Sequence, residues 1–160
     1  MINVDGTIAG LELLAKRVTD ATEAIAADAA HVFQERAMEF APVGMAGNST
    51  NAAGDLARSI HVEGPYGSGG GYVARVGPTV TTANPGPGGV TYNYGRLREF
   101  GGTVVPHVSA ALVFTKMGQT YTRASVTQVG SHYLLRARLE GMSAVEGRIQ
   151  VRLTWAVGGA

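Results

Sequence analysis

The chain has 160 residues, a formal charge of +1, only 16% charged residues, 23 glycines and no cysteine. The missing thiols exclude disulfides, thiolate zinc sites and cysteine nucleophiles, and a near-neutral charge supplies no overall field to draw nucleic acid. No apolar run approaches the ~18 residues of a membrane span, and the start M-I-N-V-D-G lacks a basic n-region, so the chain reads as soluble and maturing in a cytoplasm.

One domain over residues 1–160 is expected, large enough to bury a core. Few charges on a soluble chain suggest that other subunits cover part of its surface. Charge is also unevenly spread. Residues 1–40 hold seven acids against three bases, a net of −4, which leaves +5 on the remainder. Such ends can attract one another between neighbouring copies, or can be two solvated faces.

Residues 1–41 read as a long helix. Ile8, Leu11, Leu14, Val18, Ala21, Ile25, Ala29, Val32 and Phe40 fall close to helical spacing, and Pro42 ends the pattern. Some 30 residues would extend about 45 Å, so the helix either spans the domain or projects to meet a neighbour. A break near Gly10 is also open. Residues 42–54 form a loop of small and polar residues.

Residues 54–128 read as a sheet core with a short central helix. Ser59–Gly64 and Tyr72–Gly77 alternate like half-buried strands, joined through P-Y-G-S-G-G-G, which lacks the Lys-Ser/Thr ending of a phosphate loop. Residues 78–89, rich in proline and glycine, read as a surface loop. Within Tyr92–Thr103, Tyr94, Leu97 and Phe100 recur every three residues and would share a face of a short helix. Gly101 suits the left-handed position that ends it, and Gly102 lets the chain leave at an unusual angle. Glu99 sits where the helix dipole disfavours a carboxylate, so it needs a partner, with Arg96 and Arg98 the nearest cations. Ala110–Phe114 and Thr120–Val126 form a second hairpin turning at Gly118.

Residues 131–146 read as a shorter second helix that Ser131 could cap, with Gly141 and Gly147 weakening any continuation. From Arg148 to Val157 the pattern alternates strictly, with Ile149, Val151, Leu153, Trp155 and Val157 on one side. That is a strand period, and a terminal strand over 148–157 is expected, its odd-numbered face buried.

Several of these pieces carry a resemblance. Tyr94 followed by Glu99-Phe100-Gly101-Gly102-Thr103 is similar to the Y-x-x-x-x-E-F-G-[GT]-T segment of the neck, or tail-completion, proteins of long-tailed bacteriophages. Ala41-Pro42-Val43 and Gly54-x-Leu56-x-x-Ser59-Ile60 resemble that family's A-P-V and T-G-x-L-x-x-S-I pieces in the same order. Ala53 stands where the family has threonine, the connection is longer, and Arg136 replaces a usual proline. The family would end in a helix, where the alternation here favours a strand.

The resemblance implies an α+β fold, with a long N-terminal helix and a shorter second helix on a mostly antiparallel sheet with glycine-rich loops. It implies a non-enzymatic virion protein of the neck, working as a homo-oligomeric ring beside a head-closure protein and the tail terminator or tail tube. It marks Gly54, Leu56, Ser59, Ile60, Tyr94, Leu97, Glu99, Phe100, Gly101 and Gly102 as motif and assembly residues. The alternative is the tail terminator itself.

Other chemistries lack their residues. His31, His61, His107 and His132 are scattered, without metal-ligand spacing, so no metal or cofactor is expected. Asp55, Glu63 and Glu99 are the only carboxylates between Phe40 and Glu140, and nothing in their spacing demands a catalytic pair. Glu99 with a histidine is the one acid–base pair to weigh, against a structural bond. A cell-wall hydrolase would need a converging acid and nucleophile. Arg96, Arg98 and Arg123 are too few for a DNA-binding face. Tyr66, Tyr72, Tyr92 and Tyr94 beside glycine-rich loops would suit a protein interface.

Overall fold

The computed structural model describes residues 4–43, 54–79, 94–106, 110–116 and 118–158. Most of the loops read at 42–54 and 78–89, His107, Tyr92 and the side chain of Tyr94 lie outside the described residues.

Two long helices make the frame. α1 runs unbroken from Val4 to Phe40, about 55 Å at 1.5 Å per residue, so Gly10 does not interrupt it. It stops before Pro42, and the Ala41 amide closes the last turn onto the Ala37 carbonyl at 2.9 Å. After the single turn α2 (Asp55–Arg58), β1 (Ile60–Ser68) and β2 (Gly71–Pro78) form an antiparallel hairpin. Its ladder continues beyond Gly64 through a bulge between Glu63 and Tyr66 and turns at Gly69-Gly70. Most of the segment read as a loop is therefore strand.

α3 (Tyr94–Phe100) leads directly into β3 (Gly101–Val104); β4 (Leu112–Lys116) and β5 (Gln119–Arg123) form the second hairpin. The strand read over 120–126 divides. β5 ends at Arg123, and β6 (Val126–Val129) pairs instead with β3. The sheet content is thus three separate two-stranded antiparallel ladders around an α+β frame.

The terminal strand is overturned. α4 runs from Tyr133 to Gly158 as one helix of 26 residues, about 39 Å long. Alternation at period two does not exclude a helix, because Ile149–Leu153–Val157 and Val151–Trp155 are also i,i+4 rows. What decides is packing against α1. Tyr133, Ala137, Gly141 and Val145 recur every four residues and are buried, and Ala156 is buried in the last turns. A long template helix overrides the strand preference of Ile, Val and Trp. The odd-numbered face is not buried either, since Val151, Leu153, Trp155 and Val157 are exposed.

α4 returns antiparallel along α1. Arg136 stacks over the Phe40 ring at 4.3 Å. A Cβ on Gly141 would meet the Phe33 ring at 2.9 Å, so this glycine permits close approach of the helices and its intrinsic helix penalty is offset. Farther on, Arg152 pairs with Asp28 at 2.9 Å, and the Arg17 guanidinium donates to the Trp155 carbonyl at 3.2 Å. The main core lies at the opposite end of the pair, where Ala37, Ala41, Leu56, Ile60, Tyr133 and Ala137 pack together with Phe40, Val76 and Leu134 at the margin. Gln34 ties α1 to the hairpin by donating to the Ile60 carbonyl at 2.9 Å.

Gly101 has φ +72° and opens β3 at the point where α3 ends. An added Cβ would sit 2.5 Å from the Gln128 carbonyl oxygen and 2.6 Å from the Gly130 amide nitrogen. Gly101→Val should therefore destabilise the fold by more than ~1 kcal/mol, measured as a lowered urea midpoint. Gly10→Ala, where a Cβ meets nothing within 4 Å, should not.

Candidate assembly surfaces and the motif residues

The motif residues converge on the core end of the helix pair. Gly54 takes φ +81° and precedes the α2 turn, which places Leu56 and Ile60, each 2% exposed, against Tyr133 and Ala137. Ser59 closes α2 by donating its hydroxyl to the Leu56 carbonyl at 2.7 Å. These four make the turn and the core beneath it.

Glu99 is only 4% exposed. Its Oε2 accepts from the Leu134 amide at 2.8 Å and its Oε1 from the Leu135 amide at 3.1 Å. These are first-turn N–H groups of α4, which no intrahelical carbonyl can reach, and the helix dipole favours a carboxylate there. The sequence points to Arg96 and Arg98 as the nearest cations and gives no sign of these amides, which lie far along the chain. Among the described residues no hydrogen bond or ion pair joins the carboxylate to a histidine. Ser131 does not cap α4 with its side chain; its hydroxyl donates to the Arg98 carbonyl at 2.8 Å. Its amide donates to the same carbonyl at 2.7 Å, and the His132 amide donates to the Glu99 carbonyl at 3.1 Å. The end of α3 is thus stitched to the start of α4.

Gly101 and Gly130 make room for this crossing, since a Cβ on Gly130 would lie 2.5 Å from the Glu99 carbonyl oxygen. Gly102 (φ +150°) turns the strand past Leu97. Leu97 is half-buried while Phe100 is 69% exposed, so the face expected to unite Tyr94, Leu97 and Phe100 does not pack as one. Tyr133 is wholly buried, its hydroxyl 3.5 Å from the Gly95 carbonyl oxygen. Burial, and then the charge of Glu99, push its phenol above the ordinary value of 10.0.

Among the described residues, no three His, Asp or Glu side chains are grouped to hold a metal ion, and no buried side-chain nitrogen or oxygen lacks a partner. Tyr66 is exposed at the hairpin tip and Tyr72 half-buried.

Exposed apolar side chains occur over much of the chain, Val129 and Phe100 among them, and one group stands at the other end of the helix pair. Every described side chain from Thr7 to Lys16 is exposed. Ile8, Leu11, Leu13, Leu14 and Val18 on α1 are exposed large apolar residues, as are Val151, Leu153, Trp155 and Val157 on α4. Sequence reading found the α1 stripe but missed that it stays bare. The same residues in a terminal strand would have pointed elsewhere.

The geometry is that of a small α+β protein with a group of exposed apolar side chains at the far end of its two long helices. The model of the family described as "Bacteriophage HK97-gp10, putative tail-component" matches residues 5–101, more than half of the chain, and the chain belongs to that family. No curated protein and no solved structure gives a significant match.

Two outcomes test the motif assignments. Glu99→Ala leaves two α4 amides unsatisfied and should cost about 2 kcal/mol, read from urea unfolding, with Glu99→Gln costing less because it keeps one acceptor. Tyr133, raised in the folded state, favours folding fully below its unfolded value near 10.0, and that contribution is lost as pH rises through the folded value. The stability gap between wild type and Tyr133→Phe should therefore change above pH ~10, with the wild type falling more steeply.

Proposed function

We propose that this protein is a structural virion protein of the phage neck, joining head to tail as one copy of a multi-subunit connector, and that it carries out no catalysis. Its partners on this reading are further copies of itself, a head-closure protein, and the tail terminator or tail tube; it is assembled in the host cytoplasm and resides in the virion.

The observation that carries the reading is the bare end of the helix pair. Nine large apolar residues of α1 and α4 stand exposed there, in a chain whose family is a phage tail component. Exposed apolar side chains gathered at one end of a domain are what an interaction site presents. Glu99, the one buried carboxylate among the described residues, has both oxygens occupied by backbone amides and is not poised to transfer a proton. The mechanism is geometric: repeated copies offer complementary surfaces to a finished head and a finished tail.

The family's description as a tail component also suits a tail terminator, and the two readings separate in one experiment. A phage lacking this protein should accumulate DNA-filled heads beside separate tails of normal length, seen by electron microscopy of the lysate. Tails of uncontrolled length would favour the terminator. Normal yields of infectious particles would overturn both.

A further inference from the structure

The open groove beside α4 is lined by Ala144, Gly147, Arg148, Val151 and Trp155. These positions fall at i, i+3, i+4, i+7 and i+11, so they form one continuous helix face. Over this length of α4 it lies beside the buried row of Gly141, Val145 and Ala156. The groove face rises about 17 Å from Ala144 to Trp155, and the Arg152–Asp28 ion pair lies at its edge.

At the same end of the molecule, α1 runs past Arg17 for the thirteen residues Val4–Lys16, about 20 Å. Ile8, Leu11, Leu14 and Val18 stand on one side of it at spacings of three, three and four. The row continues through Ile25 and Ala29 to Val32, where it is progressively covered by the rest of the chain. A single apolar stripe is therefore buried at one end and bare at the other. Because α1 is one unbroken helix, its free end cannot fold back into its own groove.

The glycines sharpen the point. Gly141 is explained by Phe33, but a Cβ at Gly10 or Gly147 would meet nothing within 4 Å. Glycine inside a helix is unfavourable relative to alanine, and among the described residues neither of these two has a compensating contact. One lies in the free end of α1 and the other in the groove, where small residues let a second helix approach closely. Charge agrees as well: Glu12 on the free end and Arg148 in the groove are each without an ion-pair partner among the described residues.

We infer that the free end of α1 in one copy docks in the α4 groove of a second copy, with Leu11 and Leu14 against Gly147, Val151 and Trp155, and Glu12 near Arg148. The inference deepens the assembly reading above and rests on it. Donor and acceptor surfaces differ, so the contact is head-to-tail and propagates from copy to copy.

The cysteine-free sequence makes the test direct. Particles are assembled with the double variant Leu11→Cys/Val151→Cys, purified and oxidised. A ladder of covalent multimers beyond the dimer is expected, because each copy gives one bond and receives another, while neither single variant forms any. Dimers from Leu11→Cys alone would show a symmetric contact and overturn the inference, as would absence of the ladder or a bond to a different virion protein. If the double variant fails to incorporate, Gly147→Leu decides. It should leave the melting temperature of the purified chain no lower, yet reduce incorporation into particles at least tenfold, and unchanged incorporation would overturn the docking. Should the docking fail while phage lacking the protein still leaves heads and tails unjoined, the joining function stands without this contact. Normal particles formed without the protein would remove the joining function itself.

Discussion

A buried carboxylate holding the first turn of a helix thirty-five residues away organises this molecule. Glu99 accepts from the Leu134 and Leu135 amides, and the backbone bonds from Ser131 and His132 to Arg98 and Glu99 lie beside it. Together they fix where α4 begins and how it leaves. Once that start is fixed, Tyr133 enters the core beside Leu56 and Ile60 and Gly141 meets Phe33. The helix then runs back along α1 to Arg17. The glycines at 101 and 130 follow from the same constraint, because two backbones cross there at distances that exclude a Cβ.

That arrangement explains which parts of the structure were legible in the sequence. α1 was readable because its apolar spacing, its lack of internal proline and the stop at Pro42 all agree. Gly101 was readable because an apolar, charged turn followed by two glycines has few backbone solutions. The partner of Glu99 was not, since nothing local distinguishes a carboxylate seeking Arg96 or Arg98 from one seeking amides far along the chain. The last helix was misread for a physical reason. Ile149 to Val157 satisfies the strand period and two i,i+4 rows at once, and only the presence of α1 alongside chooses between them. The division of β5 from β6 was hidden likewise, because β6 finds its partner in β3 rather than in its neighbour along the chain.

The candidate site shows a similar division. The ten residues are read from sequence as motif and assembly residues, and most of those whose side chains are described make turns, a core and a helix cap. The surface that supports an assembly role comes from features with little signature of their own: a helix longer than its partner, an apolar stripe left bare, and two helical glycines that no contact among the described residues explains. Phe100, exposed beside a buried glutamate, is the motif residue best placed to reach a partner.

The central claim, that the bare end of the α1–α4 pair is covered on assembly, can be read from backbone amide exchange on the purified chain and on intact particles. In the isolated chain, amides of residues 7–18 should exchange far faster than those of residues 30–40, whose helix is buried in the core. In the particle, residues 7–18 and 147–157 should become protected together while the core amides change little. Equal exchange of residues 7–18 in the free chain and the particle would contradict the account.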